Sequence, residues 1–257
     1  GMYTPCVVDV TDRVLKRGNT LSVVFEHAPD EMGQVGYTSL TRTQKARYNY
    51  KWDFCVRMIN VGLYAPVYLE LDRGISLQDV FFDTSNKTDG HAAVHIKTEG
   101  AAGSVRVRLA RSGKVLAAVE AAVGPNGTAV LPVEVASPEL WYPNGSGAQP
   151  LYELVAEALC EDGTLSDSVE KKVAFRSIEM RQNIGAPADS LPYTFVVNGE
   201  PVYIKGVNLV PFDMEYGTVT ESRYRARLTE IRDMNVNMVR IWGGGIIETP
   251  EFYSICD

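Results

Sequence analysis

The chain has 257 residues and a formal net charge of −7 at pH 7, and this acidic balance argues against nucleic acid as a partner. No apolar run approaches the roughly 20 residues that a membrane-spanning helix needs, so we expect no membrane partner either. Hydrophobic residues make up 45% of the sequence and charged residues 22%, which is ordinary globular composition.

The first 71 residues are predicted to form strands joined by a long connection. Four segments have the apolar and β-branched character of strands. They are CVVDVTD, TLSVVFEH, KWDFCVRMI and APVYLELD, which begin at Cys6, Thr20, Lys51 and Ala65. A polar segment from Pro29 to Tyr50 separates the two pairs. Loops of that length are uncommon and usually functional.

Residues 72–180 contain about seven short segments with strand character, divided by turn signals such as Asn126-Gly127. In SVRVRLA, the apolar Val105, Val107 and Leu109 alternate with arginines, as in a strand with one buried face. Seven such strands in this length predict an immunoglobulin-like β-sandwich. His91 and His95 share one face of such a strand, and we interpret them as solvent-facing rather than as metal ligands.

From residue 181 to residue 257 strands and helices alternate. A hairpin is predicted around Asn198-Gly199, and a helix is predicted to begin after Thr220. The apolar strand VNMVRIWG follows, then three glycines and a helix that begins at Pro250. The continuous apolar run is typical of a strand in a parallel sheet that is buried on both faces, and we expect the glycine run to let the backbone pass close to a neighbour. The order β-α-β-α is typical of the start of a parallel α/β domain.

These motifs closely resemble glycoside hydrolase family 2. VNGEPVYIKGVNLVPFD and NMVRIWGGGIIETPEFYSICD resemble the first two strands of its catalytic barrel, and the Arg-Ile-Trp-Gly-Gly-Gly sequence resembles its β-mannosidase branch. PELWYPNGSGAQPLYEL resembles its immunoglobulin-like domain, and YNYKWDFCVRMINVGLYAPVYLEL resembles the last strands of its sugar-binding jelly roll. The fold class implied is mainly β plus α/β.

The resemblance implies three domains in the order of the family. Residues 1–71 would be the C-terminal part of a jelly roll, 72–180 an immunoglobulin-like sandwich, and 181–257 the first two βα units of a TIM barrel. A barrel needs eight such units, so the comparison predicts a chain truncated at both ends. The strand over Met238–Trp242 would then be an exposed apolar edge, through which the chain could self-associate.

The resemblance also implies a retaining glycosidase, and retention needs two carboxyl groups roughly 5–5.5 Å apart. The family's two glutamates follow the fourth and seventh barrel strands, which would lie beyond Asp257. We therefore assign no catalytic residue, no metal and no cofactor. Glu248 and Glu251 are interpreted as solvated residues that favour a helix start. Asp213 is a better candidate for a polar contact at the barrel mouth, with a turn or capping role as the alternative.

Five residues are candidates for substrate binding. Residues at the carboxyl ends of barrel strands face the active site, which selects Asn208, Arg240 and Trp242. A tryptophan offers a flat face to a sugar ring and an arginine a polar fork for its hydroxyls. A turn residue is the alternative for Asn208, and a packed barrel-core aromatic is the alternative for Trp242. By resemblance, Trp52 and Asp53 would reach the terminal mannoside from the jelly roll.

The jelly-roll motif departs from the family pattern after its first two residues. The family has Trp-Asp-Trp-Gly-Pro-Arg, whereas this chain has Trp-Asp-Phe-Cys-Val-Arg from Trp52 to Arg57. Losing Gly-Pro removes a constrained turn, so the conformation of this loop does not follow from the resemblance. After the first barrel strand, the family's Asn-Trp is Asn208-Leu209 here.

Two readings of function follow. In the first, the chain is a portion of a retaining exo-β-glycosidase, a β-mannosidase that hydrolyses terminal β-mannosides, and these residues alone are inactive. In the second, it is a non-catalytic carbohydrate-binding or vestigial fragment. A β-galactosidase-type relative is the alternative substrate class, and the Arg240–Gly245 sequence and the Trp52-Asp53 pair argue against it.

Overall fold

The computed structural model describes residues 2–28, 44–71, 74–100 and 103–257. These residues divide into two compact units, each made from more than one stretch of chain. The first unit comprises Gly1–Tyr68, Gly206–Met234 and Val239–Cys256, and the second comprises Leu69–Lys205, Asn235–Met238 and Asp257. None of the described helices is long and apolar enough to cross a membrane.

The second unit is built around a β-sandwich, which confirms the prediction for this region. The seven strands are β1 (Ile75–Asp83), β2 (His91–Gly100), β3 (Gly103–Arg111), β4 (Lys114–Ala122), β5 (Thr128–Glu134), β6 (Tyr152–Cys160) and β7 (Leu165–Val173). One sheet has the order β1-β2-β5 and the other β4-β3-β6-β7. Within these two sheets every strand pair is antiparallel.

The sandwich core follows the alternation seen in the sequence. Val105, Val107 and Leu109 of β3 are fully buried, while the arginines between them are exposed. Phe175, just after β7, is fully buried and packs edge-on against Phe82 at a ring-centroid distance of 5.3 Å. Period-two burial is what two facing sheets impose on their strands.

A small antiparallel sheet completes the second unit. Its strands are β8 (Ile178–Arg181), β9 (Thr194–Val197) and β10 (Glu200–Val202), in the order β10-β9-β8. The predicted hairpin turn is confirmed, because Val197 faces Glu200 across Asn198-Gly199. Both turn residues have positive φ, 51° and 85°, as a two-residue turn of this kind requires.

The strands and helices after residue 205 follow the predicted order. They are β11 (Gly206–Leu209), α1 (Glu221–Asp233), β12 (Met238–Ile241) and α2 (Pro250–Cys256). The Thr220 side chain caps α1 by accepting a hydrogen bond from the Arg223 N–H, as predicted. Leu209, Tyr224, Leu228 and Phe252 form the buried core between these elements.

The β12 strand is not buried on both faces, although its apolar run is typical of such a strand. Its apolar residues are half-buried and Arg240 is exposed. The physical reason is that β12 pairs with β11 in a sheet of only two described strands, so little of the second face is covered.

The four strands predicted in the first 71 residues do not form among the described residues there. Within residues 2–28 and 44–71, the β-type backbone pairing is limited to one isolated bridge, Trp52 to Cys55. Apolar side chains in the predicted strands are accordingly exposed, for example Val7 at 90% and Val24 at 87%. A strand needs a neighbour for its backbone groups, and apolar character alone does not supply one. Residues 29–43 of the predicted functional loop lie outside the described residues.

Candidate functional site

Four aromatic rings from two distant parts of the sequence meet in the first unit. The rings of Trp52 and Trp242 have centroids 5.7 Å apart. Phe54 packs edge-on against Trp242 at 5.7 Å, and Tyr48 lies 6.3 Å from the same indole. We call these four residues the aromatic cluster.

The backbone around Trp242 fixes the position of its ring. Trp242 follows β12 directly, and its N–H donates to the Leu209 carbonyl oxygen at 3.0 Å. A Cβ on Gly244 would lie 2.4 Å from Cζ2 of the indole, so the ring lies across a backbone that only glycine permits. The predicted role of the glycine run, close approach of the backbone to a neighbour, is confirmed here.

Trp52 lies at the start of a tight turn. A 3-10 helix over Arg47–Tyr50 precedes it, and the Trp52 N–H donates to the Cys55 carbonyl oxygen at 3.3 Å. This bridge closes the turn in a sequence that has no Gly-Pro pair. It also places Phe54, between the two bridged residues, against Trp242.

Lys51, between the 3-10 helix and Trp52, carries backbone strain. Its φ is 125° with ψ 139°, a conformation that glycine adopts readily and other residues do not. Lys51→Gly is expected to raise the free energy of unfolding by about 1 kcal/mol, because relief of about 1–3 kcal/mol of strain outweighs the entropy cost of glycine. Urea denaturation of both proteins measures the difference.

The matched control for Lys51→Gly is Lys97→Gly. Lys97 is exposed in β2, where its backbone is extended and strain-free. Glycine there is expected to destabilise by about 0.5–1 kcal/mol. If both variants are destabilised, the positive φ of Lys51 does not store strain.

A pocket of about 400 Å³ lies against the two tryptophans. Its volume falls in the range of roughly 300–1,000 Å³ that small-molecule sites occupy. The described residues that line it are Tyr3, Lys45, Arg47, Trp52, Trp242, Gly243 and Gly244.

Tyr3, Lys45 and Arg47 form the polar wall of this pocket. The Tyr3 hydroxyl donates to the Gly245 carbonyl oxygen at 3.1 Å, and burial raises its pKa. Burial lowers the pKa of Lys45, because the ammonium loses part of its hydration. The Arg47 guanidinium carbon lies 5.6 Å from the centre of the Tyr50 ring. The pocket thus places two basic side chains beside two indoles.

Two of the other predicted site residues, Asn208 and Arg240, contact each other and do not line the pocket. Arg240 donates to the Asn208 side-chain oxygen at 3.2 Å, across the β11–β12 pair. Both side chains are exposed, and so is Asp53. Asp53 is not among the described residues that line the pocket. The structure therefore brings together Trp52 with Trp242 and Asn208 with Arg240, while the binding roles of all five stay predictions.

The interpretation of Glu248 as a solvated helix-start residue is wrong. Its side chain is only 6% exposed, and the buried Tyr224 hydroxyl donates to Oε2 at 2.7 Å. Burial raises the pKa of Glu248, and the hydrogen bond from Tyr224 offsets part of that rise. Glu251, by contrast, is exposed in the first turn of α2, as predicted. The neighbouring Ile246, which is buried, was the sequence signal that this loop is packed.

Asp213 has the turn role that was the alternative reading. Its carboxylate accepts the Glu215 N–H at 3.0 Å and pairs with Arg223 at 2.5 Å. These two interactions, the backbone one first, lower its pKa.

Sequence reasoning missed several residues of the pocket and of the aromatic cluster. Tyr48 and Phe54 complete the aromatic cluster, and Tyr3, Lys45 and Arg47 line the pocket. The signal that could have found most of them is the dense mixture of aromatic and basic residues in KARYNYKWDF.

The sandwich of the second unit matches a protein-family model. Residues 75–176 match the model described as Glycosyl hydrolases family 2. This range runs from the start of β1 to just beyond β7.

Two curated relatives match along the whole chain. A Beta-mannosidase B of Thermothelomyces thermophilus is 30% identical over 276 residues, which covers 100% of this chain and 32% of that protein. A Mannosylglycoprotein endo-beta-mannosidase of Lilium longiflorum is 29% identical over 287 residues, which covers 100% of this chain and 29% of that protein. This chain therefore spans about a third of the length of these relatives.

Two solved structures are similar in fold to this chain. A beta-D-mannosidase from Dictyoglomus thermophilum superposes with a TM-score of 0.76 at 28% identity, covering 90% of this chain and 29% of that one. A beta-glucuronidase from Bifidobacterium dentium gives a TM-score of 0.59 at 22% identity, covering 72% and 29%. The second likeness is one of fold alone.

Proposed function

The chain belongs to glycosyl hydrolases family 2 and is β-mannosidase-like, and from that premise we propose that its first unit binds the terminal sugar of a β-mannoside. In this proposal the chain is part of a retaining exo-β-glycosidase. The sugar ring occupies the pocket beside Trp52 and Trp242. The names of the relatives, both of them mannosidases, support the substrate class.

The observation that carries the proposal is the pair of indoles at the pocket. Their centroids are 5.7 Å apart with the rings inclined at 43°, so they offer two apolar surfaces to one ligand. The C–H face of a pyranose packs on such a surface, while donors on the polar wall bind its hydroxyls. Lys45 and Arg47 supply those donors, while the Tyr3 hydroxyl, which donates its proton to Gly245, can accept.

Asp53, Asn208 and Arg240 are proposed to act at the edge of the same site. A carboxylate accepts hydrogen bonds from sugar hydroxyls, and a guanidinium donates to them. Because Arg240 is already bonded to Asn208, the two form a prearranged polar pair, which lowers the entropy cost of binding.

These 257 residues by themselves are proposed to bind a sugar without hydrolysing it. Retention needs two suitably spaced carboxyl groups, and the resemblance assigns both to strands beyond Asp257. Glu248 is a poor substitute, because it is buried and bonded to Tyr224. Turnover of an aryl β-mannoside by the pure chain, abolished by Glu248→Gln, would contradict this.

We extend the proposal to the domains of the chain. Residues 1–71 would be the end of a jelly roll, 72–180 the immunoglobulin-like sandwich, and 181–257 the first two units of a (β/α)8 barrel. The order β11-α1-β12-α2 supports the last assignment. Self-association through β12 follows from the two-stranded sheet, and light scattering at several concentrations tests it.

Calorimetric titration of the chain with methyl β-D-mannoside tests the binding function. Trp242→Ala is expected to weaken binding roughly 10- to 30-fold, because tryptophans in the centre of a site contribute most to affinity. The control is Trp141→Phe, since Trp141 lies in the second unit and should leave binding unchanged.

The same titration separates the competing functions. Tighter binding of methyl β-D-galactoside would favour the β-galactosidase-type alternative. Equal loss of affinity in the Trp242 and Trp141 variants would indicate that the pocket is not the site. Failure of the unaltered chain to bind any pyranoside would overturn the proposed function.

A further inference from the structure

Lys51 holds a strained backbone conformation directly before Trp52, a residue that lines the pocket. Its φ is 125° and its ψ is 139°, close to a region that only glycine adopts readily. Strain of this kind persists only where the surrounding structure holds it, and it is concentrated at functional sites. Building on the function proposed for this pocket, we propose that Lys51 is a positioning residue, whose backbone holds the Trp52 indole against Trp242 in the arrangement that binds the sugar.

Buried residues hold the chain before Lys51. Tyr48 and Asn49 of the 3-10 helix are fully buried, and the Met58 N–H donates to the Asn49 carbonyl oxygen at 2.8 Å. The Tyr48 carbonyl oxygen accepts hydrogen bonds from the Lys51 N–H at 3.0 Å and from the Cys55 thiol at 3.2 Å. Both ends of the segment from Lys51 to Cys55 are therefore tied to one carbonyl group of a buried residue.

The chain after Lys51 carries the indole of Trp52. The Trp52 N–H donates to the Cys55 carbonyl oxygen at 3.3 Å, and the ring centroids of Trp52 and Trp242 are 5.7 Å apart. The φ of Lys51 sets the direction in which the chain leaves the 3-10 helix. A rotation to negative φ would turn the following residues about the N–Cα bond, so that the Trp52 ring would leave Trp242. The indole contact and the positive φ are therefore two features of one arrangement.

The contribution of Lys51 comes from its backbone rather than from its amino group. Its side chain is exposed, and Lys51 is not among the described residues that line the pocket. The family pattern has a Gly-Pro pair after Trp-Asp-Trp, where this chain has Cys55-Val56. In this chain the constraint on the turn lies before Trp52 instead.

The segment thus has two arrangements, one with Trp52 against Trp242 and one that is relaxed at residue 51. A ligand that binds only the first has its apparent affinity reduced by the fraction of molecules in that arrangement. The affinity should therefore follow the tolerance of residue 51 for positive φ. Glycine tolerates it best and valine least, because branching at Cβ crowds the backbone, while alanine and lysine tolerate it equally.

Calorimetric titration of the full chain with methyl β-D-mannoside is the first test. Lys51→Val is expected to weaken binding roughly fivefold, because it shifts molecules toward the relaxed arrangement. Lys51→Ala is expected to keep the affinity of the unaltered chain, because it removes the amino group and keeps the backbone strain. Lys97→Val makes the same change as Lys51→Val on the exposed face of β2, and it should also keep that affinity.

Circular dichroism of the ligand-free chain is the second test, because two close indoles give an exciton signal that depends on their distance and angle. The signal is defined as the part of the spectrum that is lost in Trp52→Phe. Lys51→Val is expected to reduce it and Lys51→Ala to retain it. A residue that only stabilised the fold would change neither the signal nor the affinity in a variant that remains folded.

The thermal behaviour of the exciton signal decides the matter if Lys51→Val does not fold. The signal should persist to a higher temperature in Lys51→Gly than in Lys51→Ala, because glycine holds the positive φ without strain. Loss of the signal at the same temperature in both variants would contradict the proposal.

The two tests separate this inference from the function on which it rests. If the mannoside binds and Lys51→Val lowers its affinity without reducing the exciton signal, or changes neither, the positioning role is wrong and the proposed function stands. If no pyranoside binds but the signal falls in Lys51→Val and not in Lys51→Ala, Lys51 positions Trp52 and the proposed function fails. A loss of affinity in Lys51→Ala as large as in Lys51→Val would assign the effect to the side chain and overturn the positioning role.

Discussion

Phe175→Ala is expected to lower the free energy of unfolding of the second unit by about 3–5 kcal/mol. The Phe175 side chain is fully buried and packs edge-on against Phe82 at 5.3 Å and Tyr152 at 5.2 Å. Truncation removes buried apolar area and leaves a cavity that the two sheets cannot close without breaking their registers. Urea denaturation of the full chain, followed by far-UV circular dichroism, measures the loss.

Phe81→Ala is the matched control, because it makes the same chemical change at an exposed position of β1, next to the Phe82 that Phe175 contacts. Phe81 is 57% exposed and contacts His95 at 6.2 Å between ring centres. Its removal is expected to cost less than about 1 kcal/mol, since little buried area is lost. Equal costs at the two positions would show that Phe175 is not a core residue.

The second large effect concerns pH and the buried carboxyl of Glu248. Burial raises its pKa in the folded state above the ordinary value of 4.5, so the folded chain retains a proton that the unfolded chain releases. The resulting stabilisation is fully present below about pH 4.5 and is lost as the pH rises through the raised folded pKa. The stability of the first unit is therefore expected to decrease over that pH range.

Two variants test the origin of this pH dependence. Glu248→Gln is expected to flatten it, because the amide cannot ionise. Tyr224→Phe removes the hydroxyl that donates at 2.7 Å, and is expected to cost about 1–3 kcal/mol by leaving a buried acceptor unpaired. Glu251→Gln is the control, since Glu251 is exposed. If Glu251→Gln flattens the pH profile instead, the assignment to Glu248 is wrong.

Part of the candidate site could be predicted from the sequence and part could not. Trp242 was selected because it ends a strand of a predicted α/β unit, and Trp52 because of a family motif. The family resemblance places both at the same barrel mouth, but local sequence patterns do not give their direct contact, because it joins residues that are distant in the sequence. Lys45 and Arg47 were missed, because they lie at a 3-10 helix with three buried residues. Such a helix depends on packing against distant residues and has no local sequence pattern.

The sequence alone determined the elements whose pattern is local. The period-two alternation of β3, the turn at Asn198-Gly199 and the cap at Thr220 all formed as predicted. Each depends on a few adjacent residues. Alternation reports which face of a strand is buried, and a turn or a cap is set by backbone preferences at one or two positions.

Only the tertiary structure decided which segments pair and which polar groups are buried. The apolar segment around Val24 has strand character but no described neighbour, and its side chains are exposed. Glu248 looks like a solvated helix-start residue, yet Tyr224 of α1 covers it. Pairing and burial are set by distant residues, and neither periodicity nor propensity encodes where those residues come to lie.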